Sequence, residues 1–375
     1  MTRTVEPTSP ALEDLLAVVA ERRAEFTALR DIPRDVMEKF RAAGVYRAAT
    51  PKMFGGDALP PRQYLRMVER IAEVDGSAGW MASIEVAKIY LAALPLETQA
   101  KLYSTGPDVV FAGGLFPMQP AEREPGGFKV SGQWRFASGC TSADILAVGI
   151  RTEDDKARMA VLPAEDVEIV ENWDVVGMEG TGSHDLRING VVVPDEWTFL
   201  RGGRANVDEP LHRYPAVPYA AQALAAVNLG IARAALDHLT QVGAGRTGLT
   251  GAAQLADRPY ARIAVGKAEA ALRSARAFFY EVTDEVYATV TSGTPASVEQ
   301  ASSIRLAAAH AAAVSFDVVR TAYSLADISA ISSGHPLQRH LRDASVVPHH
   351  ALLTEGVYDG AGAVLMGVKP APGYV

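Results

Sequence analysis

The 375-residue chain has a single cysteine, Cys140, so no internal disulfide can form and a reducing cytoplasm is the expected compartment. It has no surplus of positive charge. Against 36 Lys and Arg stand 44 Asp and Glu, and a net charge of −8 without a concentrated basic face excludes nucleic acid as a partner. No stretch approaches the roughly 18 uninterrupted apolar residues of a membrane span, and the opening MTRTVEPTSPALEDLL has no apolar core of signal-peptide length. Neither a membrane nor an export route is expected. His335, His340, His349 and His350 crowd one region without an HExxH or carboxylate–histidine spacing, so no metal site is expected either. A glycine-rich strand–turn–helix fingerprint for a nicotinamide is also missing: GGLFPMQP and GMEGTGS sit among β-rich runs with no helix after them.

What is present is the balance of a folded globular chain, 48% hydrophobic and 21% charged, long enough for two or three domains. Cys140 has Ser138, Gly139, Thr141 and Ser142 for company, which supplies no charge to stabilise a thiolate, so it reads as a small buried filler rather than a nucleophile. Residues 1–107 read as helical. ALEDLLAVVAERRAEFTALR spaces its apolar residues on one face, PRDVMEKFRAAGV opens on a proline and closes at Gly44, and SAGWMASIEVAKIYLAAL is apolar enough to be one interior helix. Residues 108–202 break into short β-rich runs between Gly, Pro and Asp turns, which predicts an antiparallel barrel or sandwich. Residues 203–375 return to long alanine-rich helical spans of the kind that pack as a bundle.

That order resembles the acyl-CoA dehydrogenase fold, and the motifs carry the match. GGFKVSGQWRFASG is similar to the family's β-domain strand, and GMEGTGSHDLRINGVVVPDEW to the strand pair that follows. RTGLTGAAQLADRP, AEAALRSARAFFYE and HPLQRHLRDA resemble the C-terminal bundle of one branch, the flavin-dependent monooxygenases. The resemblance implies an α+β architecture of an N-terminal α-helical domain (1–107), a central antiparallel β-barrel domain (108–202) and a C-terminal four-helix bundle (203–375). It also implies the oxygenase component of a two-component system, a cytoplasmic homotetramer that takes reduced FMN or FAD from a separate NAD(P)H-flavin reductase. Through a C4a-hydroperoxide formed with O2 it would oxidise a small aromatic or secondary-metabolite substrate.

Strand alternation alone puts Trp134, Phe136 and Ser138 on one face, which reads as barrel core when no ligand is assumed. Under the resemblance Phe136 stands where dehydrogenases carry a tryptophan on the flavin ring, and Ser138 where they carry a hydroxyl reaching N5. Trp80, Trp134 and Phe136 would wall the ring, the loop Gly113, Gly114, Leu115 would hold it, Ser183 would add a second hydroxyl, and Arg246 would meet the phosphate. Ser345 occupies the histidine position of the branch's RD-x-H, leaving His349 or His350 for proton traffic. The two places where dehydrogenases carry a catalytic Glu hold Ala351 and Ala220, with Glu355 off register. Asp327–Ile328 replaces a Gly pair that admits a flavin diphosphate, which favours FMN. The rivals are an acyl-CoA dehydrogenase with an atypical base and a flavin-free, non-catalytic homologue.

Overall fold

Local signals set the helix boundaries in this computed structural model, which describes residues 9–153, 156–243, 254–371 and 373–374. Ser9 accepts a hydrogen bond from Leu12 N–H and Pro10 takes the first position of α1 (Pro10–Leu29), where no backbone donor is needed. Then come α2 (Arg34–Ala42), which precedes Gly44 at φ +81°, α3 (Pro61–Val74), α4 (Gly76–Ile84) and α5 (Leu96–Leu102). The single interior helix expected across 77–94 is two pieces. After Ile84 the chain tightens to a 3₁₀ helix, Glu85–Ala93. Three residues per turn align positions i and i+3, which places the buried Glu85 and Lys88 2.9 Å apart. Lys88 Nζ also donates to the carbonyls of Tyr46 and Val109 (2.7 Å for the latter), so an ammonium with no access to water is fully engaged.

Among the described residues seven strands follow: β1 (Phe111–Glu124), β2 (Gly127–Ala137), β3 (Ile145–Arg151), β4 (Ala157–Pro163), β5 (Glu168–Val170), β6 (His184–Pro194) and β7 (Thr198–Leu200), in the sheet order β5-β6-β2-β1-β3-β4-β7. The expectation of a wholly antiparallel sheet needs correction, because β1 and β3 run parallel. β2 folds back on β1 as a hairpin and ends beside the start of β1; the chain then enters β3 from that same end, with Phe111 opposite Ile145. Trp134, Leu146, Val148, Leu162, Leu186 and Ile188 share one buried apolar cluster drawn from β2, β3, β4 and β6.

The remaining helices are α6 (Pro210–Arg213), α7 (Ala216–Gly243), α8 (Pro259–Thr291), α9 (Val298–Leu325), α10 (Pro336–Val346) and α11 (Gly356–Leu365). Ser297 opens α9 with a reciprocal cap: its Oγ accepts from Gln300 N–H and Gln300 Oε1 accepts from Ser297 N–H. The chain divides into two compact units. One comprises the chain as far as Leu59 with Ile84–Asp174 and Glu179–Ala216; the other comprises Pro60–Ser83, Val175–Met178 and the chain from Val217. In the second, Glu69 of α3 is buried and accepts from Arg276 Nε (2.6 Å) and Tyr280 Oη (2.6 Å) of α8. Among the described residues no helix is long and apolar enough to cross a membrane, and no group of three or more His, Cys, Asp or Glu could hold a metal ion.

Candidate functional site

In the β-containing unit, Trp134 and Phe136 do not share a face. Trp134 pairs with Leu186 and Ala137 with His184, so Arg135 and Phe136 together oppose Asp185 alone. This is a β-bulge, and Phe136 adopts φ +60° within it. The extra residue breaks the period of two. Trp134 is fully buried and donates its indole N–H to Gly149 O at 2.8 Å, so it has no surface for a ligand and is corrected to a core residue. Phe136 is 66% exposed and sets its ring edge against Trp173, with centroids 6.3 Å apart.

Beyond the bulge Ser138 is half-buried and its Oγ lies 2.7 Å from Ser183 Oγ, which lies 2.7 Å from Thr181 Oγ1. The two serines picked out from the sequence are therefore joined, through a run of three hydroxyls that includes the partly open Ser138. Hydroxyls both donate and accept, so this chain can hold or pass a proton at a polar ring edge. Cys140 is buried, its thiol is pushed up to about 12 by burial, and its Sγ points at Gly182 O (3.6 Å), which fits the filler reading. Gly113, Gly114 and Leu115 belong to strand β1 and not to a loop, which corrects that expectation. A Cβ on Gly113 would stand 2.5 Å from Ala147 O and one on Gly114 2.8 Å from Trp134 Cβ; close packing of β1 against its neighbours accounts for both glycines.

In the helical unit, Trp80 of α4 and His350 meet ring edge to ring face, with centroids 5.9 Å apart at 63°. Trp80 is 7% exposed. Burial lowers His350 to about 4, so the ring is neutral near pH 7, and its Nδ1 accepts from Leu352 N–H at 3.2 Å. The proton of the neutral ring is then on Nε2. His349 is exposed on the 3₁₀ turn Val347–His349 and does not join this contact. Ser345 Oγ donates to Arg342 O (2.7 Å) within its own helix. It borders a cleft of about 460 Å³ lined also by Val176, Phe316, Arg320, Tyr323 and Arg342. Ala220 is buried, and Ala351 and Glu355 are exposed. Asp327 caps the short 3₁₀ helix Ile328–Ile331 by accepting from Ser329 N–H at 2.9 Å, and Ile328 is exposed. Arg246 lies outside the described residues.

One arrangement went unnoticed in the sequence. Asp343, read there only as half of the RD pair, is buried and accepts from Met178 N–H at 2.7 Å. Burial and the negative charge of Asp75 raise its carboxyl above the usual range, with Arg339 and Arg342 opposing. Asp75, itself buried, accepts from Ala78 N–H at 3.0 Å in the first turn of α4. The signal available was an acid directly before a run of small residues, EVDGSAGW.

Residues 13–103 match the acyl-CoA dehydrogenase N-terminal domain and residues 222–355 the acyl-CoA dehydrogenase C-terminal domain. The chain is 50% identical over 372 residues to an indole-3-acetate monooxygenase of Pseudomonas putida, covering 98% of this chain and 96% of that one. It is 28% identical to a flavin-dependent monooxygenase, oxygenase subunit HsaA, of Rhodococcus jostii (strain RHA1), covering 91% and 93%. The crystal structure of 3-HSA hydroxylase from Rhodococcus sp. RHA1 superposes with a TM-score of 0.91 at 26% identity, covering 97% of this chain and 98% of that one.

Proposed function

The chain belongs to the acyl-CoA dehydrogenase family, and from that premise we propose that it is the oxygenase component of a two-component flavin-dependent monooxygenase acting on indole-3-acetate or a close indole acid. The observation that carries this reading is the 50% identity along nearly the whole chain to an indole-3-acetate monooxygenase. Two residues support it from the chemistry. The places for a dehydrogenase base hold Ala220 and Ala351, and an alanine cannot take a proton from a substrate α-carbon.

Reduced flavin, when bound, would supply the two electrons that let one atom of O2 enter the substrate while the other leaves as water. The residues present fit such a group: the exposed Phe136 offers an apolar surface two residues from the Ser138 hydroxyl, which a polar ring edge can use. We assign Ser138 to hold that edge, with Ser183 and Thr181 fixing its hydroxyl, and Trp80 to exclude water. We assign His350, a neutral imidazole, to hold a proton at Nε2 and present it as a hydrogen-bond donor, with His349 outside this role. Arg246 remains the proposed phosphate contact. The cofactor is reduced FMN or FAD; the carboxylate of Asp327 where a diphosphate would approach favours FMN.

The same reading has the seven-stranded sheet closing as the family's β-barrel, α7 to α10 forming its four-helix bundle, and the division at 1–107, 108–202 and 203–375. A cytoplasmic homotetramer served by a separate NAD(P)H-flavin reductase completes it. The test is turnover with such a reductase, NADH and either flavin. Oxygenated indole product formed only with the reductase and O2 supports the reading. Anaerobic oxidation of an acyl-CoA, without oxygenation of any indole acid, overturns it.

A further inference from the structure

An α-helix offers the carbonyl of each residue to the N–H four positions on, so Ala344 O would be paired by residue 348. Residue 348 is proline and has no N–H to give. The freed carbonyl is nevertheless paired. Asn228 of α7, fully buried, directs Nδ2 at Ala344 O (3.2 Å) and at Ala312 O of α9 (3.1 Å). Carbonyls only accept, so the orientation of the amide is fixed by its neighbours. Asn228 Oδ1 is buried with no hydrogen-bond partner among the described residues. A leucine of similar branched shape would avoid that orphaned oxygen, so what this side chain brings to the core is its donor.

Directly beyond the paired carbonyl the α-helix stops at Val346, the chain tightens through Val347–His349, and His350 N–H bonds back to Val347 O at 3.1 Å. That break aims His350 at Trp80. We propose that Asn228 is a positioning residue: by pairing the carbonyl that Pro348 frees, it holds the end of α10 in the broken form that sets His350 against Trp80. The inference deepens the monooxygenase reading and rests on it for the role of His350, though not for where the ring sits.

The test uses the full-length protein with ¹⁵N-labelled histidine, His350 being assigned by His350→Gln. In Asn228→Leu the imidazole signals of His350 move toward those of exposed histidines, and the share of NADH electrons lost to H2O2 rises severalfold. Unmoved His350 signals overturn the inference. Moved signals with unchanged H2O2 uphold the positioning and refute the proton role assigned to His350, which separates the two claims. If Asn228→Leu does not fold, Pro348→Ala decides. It restores an N–H for Ala344 O and continues the helix, so the His350 signals shift and Asn228→Ala added to it lowers the melting temperature less than Asn228→Ala alone. Equal losses in the two backgrounds overturn the coupling.

Discussion

Trp80 and His350 meet at 5.9 Å between ring centroids, and the imidazole there is neutral because burial lowers it to about 4. A neutral ring at this place neither gains nor loses charge over the working range, so the rate of substrate oxidation contains no ionisation near 6.5 from it. His350→Gln is expected to raise H2O2 release at the expense of product, with the pH profile keeping its shape. A break near pH 6.5 that disappears in the variant would contradict this assignment.

The hydroxyl chain Thr181–Ser183–Ser138 predicts a graded loss. Ser138→Ala removes the partly open hydroxyl and is expected to weaken reduced-flavin binding about fivefold, the worth of roughly 1 kcal/mol for one hydrogen bond. Ser183→Ala removes its support and is expected to weaken binding less. Equilibrium titration with reduced FMN under anaerobic conditions measures both. Equal affinity in all three proteins would place the flavin elsewhere.

His212, whose side chain has no access to solvent, makes stability depend on pH. Burial lowers it from 6.5 to about 4. The unfolded chain therefore binds the extra proton first as pH falls, and stability present above about 6.5 is lost on going down toward 4. The full effect is on the order of 3 kcal/mol. Urea unfolding from pH 7 to pH 5 is expected to show the decline, and His212→Gln to flatten it.

Asp343 accepts from Met178 N–H and stands near the negative Asp75. Asparagine can still accept that bond while removing the charge conflict, whereas leucine removes the acceptor that Met178 N–H uses. Asp343→Asn is expected to match or exceed the native melting temperature, and Asp343→Leu to lose about 2–3 kcal/mol. A thermal scan of the two variants distinguishes them.

Much of this was legible because it is local. Pro33, Gly44 and the alanine-rich spans announce helix ends and close packing within a few residues of themselves. The β-rich texture of 108–202 is equally local, and its turns are written in Gly, Pro and Asp. The bulge at Arg135–Phe136 was not legible, because a single inserted residue leaves the alternating pattern intact on paper while reversing which side chain faces inward. The parallel pairing of β1 with β3 depends on where β2 ends in space. Lys88 with Glu85, and Asp343 with Asp75, are buried charges in stretches that read as an apolar helix and as a sequence ruler. Glu85 lies three residues from Lys88, but the carbonyls of Tyr46 and Val109 that complete the ammonium's bonds come from distant parts of the chain, as does Asp75 beside Asp343.

The most direct test of the central claim is product analysis after incubating the protein with indole-3-acetate, NADH, a flavin reductase and ¹⁸O2. Incorporation of one ¹⁸O atom per product, with the second recovered in water, is the predicted result. Consumption of NADH with all of the label in H2O2, whatever indole acid is supplied, would contradict it.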